Sequence, residues 1–168
     1  MKRLFMLFAA LSLLYVVNAQ ETIGNLFKEM PDSVLPTLTR NNRLDLLDFW
    51  EAKMRAEITN KFERSSELET LSTDSMLIRM NEASDVSFLL LDLAEPVDSS
   101  MQVICMVHTY HLAFDKGEER TITYYSAKWR KLSTAPKLSE KSEERVKKLP
   151  SSTILKEDNS LLEKPLIL

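Results

Sequence analysis

Val86-Ser87-Phe88-Leu89-Leu90-Leu91-Asp92-Leu93 and, a few residues on, Val103-Ile104-Cys105-Met106-Val107 decide the fold. In the first stretch Val86, Phe88 and Leu90 alternate with Ser87, Leu89 and Leu91, so both faces are apolar. The second is apolar at every position. Successive side chains of a strand point to opposite faces, so strands of this kind sit centrally, covered on both sides.

The neighbouring segments read as further strands. Glu67–Ser72, Ser75–Met80, Val86–Leu93, Met101–Phe114 and Glu119–Arg130 each carry period-two patterning or β-prone residues. Ser72-Thr73-Asp74, Asn81–Asp85, Ala94–Ser100 and Asp115–Glu118 separate them. Gly117 suits a hairpin tip because it takes positive φ at little steric cost. Links this short demand antiparallel neighbours, since a parallel crossover needs about a dozen residues or more. Two helices precede the strands. Thr22–Met30 places Ile23, Leu26, Phe27 and Met30 on one face, with Thr22 as cap and Pro31 as stop. Asn42–Met54 does the same with Leu46, Leu47, Trp50 and Met54, capped by Asn41 or Asn42, with an i,i+4 Glu51–Arg55 pair. The expected class is α+β: two N-terminal helices packed on an antiparallel meander sheet of about five strands. This domain spans 20–130. In 131–168 the pattern predicts a linker over Lys131–Lys141, a polar helix over Glu140–Leu149 capped by Ser139, and a hairpin or tail over Ser152–Leu155 and Leu161–Leu168.

Residues 1–19 read as a signal peptide. Lys2 and Arg3 form a basic start, Leu4–Val17 an apolar run, and Val17-Asn18-Ala19 a small-residue cleavage site. The run falls short of the about 20 apolar residues a membrane span needs. No stable span is therefore expected after cleavage, and the chain is expected to be secreted or periplasmic. Removing Lys2 and Arg3 takes the formal charge from −3 to −5. No dense basic cluster exists, so nucleic acid is not an expected partner.

Composition removes several chemistries. Two glycines, Gly24 and Gly117, leave no Gly-rich phosphate loop and no GxSxG nucleophile elbow. One cysteine excludes an internal disulfide and multi-thiolate zinc sites. Cys105 lies in an apolar run and reads as a buried hydrophobe. His108 and His111, at an odd offset on one strand, point to opposite faces, so shared metal ligation is not expected. Asp45 and Asp48 share a helix face and read as its solvated side. No cofactor, metal or catalytic residue is assigned. Tyr110, Tyr125 and Trp129 are the candidate ligand or partner contacts, because aromatic side chains on a sheet face serve as binding anchors.

Met30-Pro31-Asp32-Ser33, Leu38-Thr39-Arg40-Asn41-Asn42-Arg43-Leu44-Asp45-Leu46-Leu47-Asp48-Phe49, Gln102–Val107 and the strand ending at Lys128-Trp129 resemble an uncharacterised secreted domain-of-unknown-function family from Bacteroidales-type bacteria. The resemblance covers about residues 20–130. It implies export and a shared fold and carries no activity, while Lys131–Leu168 departs from the family pattern. The combined expectation is a non-enzymatic binding or interaction domain of the cell envelope, whose partner is an envelope protein or a glycan. The alternative is a small secreted hydrolase or carbohydrate-binding protein built around Asp45/Asp48 or His108/His111. N-terminal sequencing of the exported protein is expected to begin at Gln20; material beginning at Met1 overturns the leader.

Overall fold

The computed structural model describes residues 21–112 and 117–148. The expected leader and the expected hairpin over 152–155 and 161–168 lie outside the described residues. Among the described residues, three helices accompany a six-stranded antiparallel sheet. The chain runs α1 (Ile23–Lys28), α2 (Arg40–Glu51), β1 (Glu57–Thr59), β2 (Ser65–Leu71), β3 (Ser75–Asn81), β4 (Ser84–Val97), β5 (Ser100–His111), β6 (Glu118–Ser126) and α3 (Glu140–Lys147). Strand order follows sequence order, β1-β2-β3-β4-β5-β6, an uninterrupted meander. The class is α+β, with six strands rather than about five. The added strand β1 has three residues, too few to show alternation, and it exists by pairing with β2. Two helices precede the sheet and the third follows it.

Local chemistry sets the boundaries. Thr22 caps α1, accepting from Asn25 N–H at 3.2 Å. The cap of α2 is Thr39, not Asn41 or Asn42. Thr39 Oγ1 accepts from the Asn42 N–H, and Asn42 Oδ1 accepts from the Thr39 N–H, a reciprocal capping box. At the other end Met54 N–H reaches the Phe49 carbonyl and Lys53 N–H the Trp50 carbonyl. This Schellman pattern puts Lys53 at φ 55, so α2 stops at Glu51 without the usual glycine signal. Met54 is consequently exposed, and the expected Glu51–Arg55 pair is replaced by Glu51–Lys28 and by Arg55 with Glu57 and Glu67. The link expected at Ala94–Ser100 shrinks to Asp98-Ser99, both at positive φ. β4 continues through Pro96 because the β4–β5 register breaks between Asp92 and Val97 and asks no N–H of that residue. Gly117 adopts φ 96, as its place beside the β5–β6 turn demands.

The central strands are covered on both faces, as their patterning predicts. On the helix side Leu68, Met76, Ile78, Met80, Val86, Phe88, Ile104 and Met106 meet Ile23, Leu26, Phe27, Leu46 and Leu47. Phe27, Phe88, Trp129 and Tyr125 form a chain of ring contacts at 5.6, 5.9 and 5.7 Å. The outer face holds a smaller core of Leu91, Leu93, Val103, Cys105 and Val107, roofed by Leu132, Leu138 and Val146. The segment expected as a linker builds that roof. Lys131 bridges Tyr125 on the β6 edge, Leu138 bridges Leu93 on β4, and α3 follows, capped by Ser139 as expected. Burial pushes the Cys105 thiol up to about 12.

Arg43 fastens the helical layer. Its side chain is 1% exposed. Nε donates to the Phe27 carbonyl at 3.2 Å, and Nη1 to the Leu38 carbonyl and the Asp32 carboxylate, both at 2.8 Å. Nη2 donates to the Met30 carbonyl. Arg43→Met is expected to cost about 3–5 kcal/mol, because it orphans three buried carbonyls. Asp32→Asn is expected to cost less, about 1–3 kcal/mol, since asparagine keeps an acceptor but removes the charge facing the buried guanidinium. Urea unfolding midpoints of both variants check the contrast.

Candidate functional site

The outer face of the sheet has two halves. The apolar half lies under residues 132–146. The other half, toward the β1–β2 and β3–β4 turns, is polar and open. The register explains why it is one surface. Glu57 pairs with Glu67, Glu67 with Arg79, Arg79 with Asp85, Asp85 with Thr109, and Thr109 with Arg120. Directly opposed residues share a face, so these six side chains form one row across all six strands.

Ion pairs tie the row together. Arg55, in the loop before β1, donates from Nε and Nη2 to both Glu67 oxygens at 3.2 and 3.0 Å. Its Nη1 meets Glu57 at 3.1 Å. Arg79 contacts the same Glu67 carboxylate and reaches Glu69 at 3.2 Å. Further along the row, His111 Nε2 lies 2.7 Å from Asp85 and Nδ1 3.4 Å from Glu118, which also pairs with Arg120.

Above the row runs a groove of about 940 Å³ lined by Arg55, Glu57, Glu63, Arg64, Ser65, Arg79, Asn81, Glu82 and Ala83. One wall is the β1–β2 turn. Asn60, only 6% exposed, organises it: the side-chain oxygen accepts from the N–H groups of Phe62 and Arg64. The Asn60 amide donates to Ser66 Oγ and the Met80 carbonyl. Within this turn Glu63 holds φ 58, a left-handed conformation that costs a non-glycine residue roughly 1–2 kcal/mol. The buried Asn60 thus holds the backbone of this wall.

Of the three aromatic candidates, Tyr125 and Trp129 come together at 5.7 Å and Tyr110 stands apart. Tyr125 and Trp129 are 8% and 7% exposed and belong to the helix-side core, where Trp129 Nε1 donates to the Leu26 carbonyl at 2.8 Å. Their burial makes them packing residues rather than contacts. Tyr110 is 43% exposed and stacks on His108 with ring centroids 4.2 Å apart. Burial lowers the His108 pKa below its ordinary value. His108 pairs across the strands with core residue Val86, while His111 joins the outer row, so the histidines take opposite faces. Asp45 and Asp48 are exposed on α2, away from both. The residues of the hydrolase alternative are thus scattered. Among the described residues no three His, Cys, Asp or Glu side chains gather to hold a metal ion, and no helix is long and apolar enough to cross a membrane.

Sequence reasoning missed Arg55, Arg64, Arg79 and the glutamates facing them. Each looks like ordinary strand or turn polarity, and only the folded structure shows that Arg55 and Arg79 meet their glutamates and that Arg64 lines the same groove.

Hydrogen bonding from Arg55 holds the Glu67 carboxyl below the usual carboxylate range, outweighing its partial burial. A depressed folded-state pKa adds stability above the ordinary value of 4.5, lost as pH falls through the folded value. The stability gap between the parent chain and Glu67→Gln is therefore expected to be constant near neutrality and to close below that value. Urea unfolding across acidic pH measures it; a gap that widens on acidification refutes the ion-pair account.

No curated protein matches the chain. A solved domain of an uncharacterized protein from Porphyromonas gingivalis W83 is similar, with TM-score 0.51 and 25% identity over 67% of this chain. The match covers 54% of that solved chain, so this chain spans about half its length. A family model described as "Protein of unknown function (DUF3256)" matches residues 14–156. The chain belongs to that family, a domain of unknown function with a structural neighbour in the Bacteroidales.

Proposed function

We propose that the protein is an exported, non-enzymatic binding domain of the cell envelope that engages its partner through the outer-face groove. The observation that carries this reading is the division of the outer face. The chain spends residues 132–146 roofing the apolar half and leaves the polar half open as a groove with three arginines and three glutamates in its lining. An open, charged, rigid-walled concavity on an otherwise covered sheet is a recognition surface. Export rests on the basic start, apolar run and Val17-Asn18-Ala19 site of the N-terminal sequence.

The test is co-sedimentation of the purified mature chain with a washed Bacteroidales envelope fraction. The parent chain is expected in the pellet. Arg64→Ala combined with Glu82→Ala, two exposed lining positions, is expected to reduce the bound fraction about fivefold while leaving the unfolding midpoint unchanged. A parent chain that stays in the supernatant, or a double variant that pellets equally well, overturns the reading.

A further inference from the structure

Resting on that reading, the chemistry of the groove specifies its ligand. Its charged lining residues are three cations and three anions. They are not equally engaged. Arg55 and Arg79 are each shared between two glutamates, in the pairs given above. Arg64, Glu63 and Glu82 are exposed and make no side-chain ion pair with any described residue. The groove lining thus holds one guanidinium and two carboxylates that make no ion pair with a described residue.

That pattern excludes simple polyions. A polyanion meets Glu57, Glu63 and Glu82 in the lining, Glu67 beneath, and a chain of net charge −3. A polycation meets Arg55, Arg64 and Arg79. A neutral glycan finds no aromatic ring among the lining residues to stack on. The volume, about 940 Å³, is at the upper end of the range for small-ligand pockets, so it accommodates a short chain rather than a single small ion. Glu63 and Arg64 lie on the turn that buried Asn60 fixes, so their backbone is already ordered and only the side chains are immobilised on binding.

We propose that the groove binds a short peptide-like chain carrying both ammonium groups and a carboxylate, with the ammonium groups in excess. Arg64 takes the carboxylate through its planar fork, and Glu63 and Glu82 take the ammonium groups. The net positive charge of such a segment also matches the acidic chain, which steers its approach.

Calorimetric titration with acetylated, amidated Lys-Asp-Lys tests the proposal, with Glu-Lys-Glu, its charge inverse, as the comparison probe. Lys-Asp-Lys is expected to bind more tightly than Glu-Lys-Glu and to weaken as salt is raised to about 0.5 M. Arg64→Ala and Glu82→Gln are each expected to weaken it about three- to fivefold. The amide resonances of residues 55–65 and 79–83 are expected to shift on binding. Equal or tighter binding of Glu-Lys-Glu, unchanged affinity in both variants, or no binding of Lys-Asp-Lys at millimolar concentration overturns the ligand class. Envelope binding that depends on the groove while Lys-Asp-Lys fails removes the ligand class alone. Loss of both removes the binding reading as well.

Discussion

The helical layer hangs on one buried guanidinium. α1 has six residues, too few to be stable alone, and the segment joining it to α2 is irregular. Irregular backbone packed against a core leaves carbonyls that water cannot reach. Arg43 answers three of them at once, from Phe27, Met30 and Leu38, and its remaining charge meets Asp32 at the surface. One side chain on α2 thereby fixes the end of α1, the connection and the start of its own helix. With these in place Ile23, Leu26, Phe27, Met30, Leu35 and Leu38 form a continuous apolar wall. The sheet's inner face packs on that wall, and Trp129, from the far end of the meander, closes it by donating to the Leu26 carbonyl.

The outer face then follows from what the inner face leaves over. β4 and β5 are apolar on both sides, so the second side needs its own cover. The C-terminal segment supplies it while occupying two sheet edges. Residues 130–132 bond along β6, and 137–139 bond along the part of β4 that outruns β3. Arg145 then secures α3 to the sheet, donating to the Leu90 carbonyl and pairing with Asp74 at 3.0 Å. The cover extends only over the apolar side chains. Where the register turns to Arg79, Asp85 and Thr109, burial would strand charge, and the face stays open.

The sequence exposes this plan unevenly, for physical reasons. Strands of seven residues or more, the caps at Thr22 and Ser139, and the two-faced burial of Val103–Val107 are written in local periodicity and capping chemistry. β1 is too short to carry a period. The α2 cap lies two or three residues before the asparagines because Asn42 serves as the reciprocal partner of Thr39 rather than as the cap. The stop at Lys53 uses a left-handed lysine, which composition does not flag. Arg43 is one charge in an Arg-Asn-Asn-Arg run until the fold surrounds it. The aromatic residues were ambiguous because a strand residue has the same neighbours in sequence whether its face is covered or open. Trp129 and Tyr125 went inside, and Tyr110 stayed out. The groove is the extreme case. Its lining comes from three separate stretches, 55–57, 63–65 and 79–83, brought together by strand register and by the turns that join the strands.

Stability does not account for that alignment. Exposed ion pairs contribute about 0–1 kcal/mol each, and like charges directly opposed on neighbouring strands destabilise. Yet the register sets Glu57 opposite Glu67. Arg55 relieves the repulsion by holding both carboxylates, at 3.1 Å and 3.0 Å, from the loop before β1. Glu63 adds a left-handed backbone in the same wall. Protection against sheet-edge aggregation explains neither feature, since a single outward lysine would serve on a strand as short as β1. A pair of opposed glutamates, a guanidinium brought in to hold them and a strained turn all meet on the open half of one face. These departures border the groove proposed above as the binding surface.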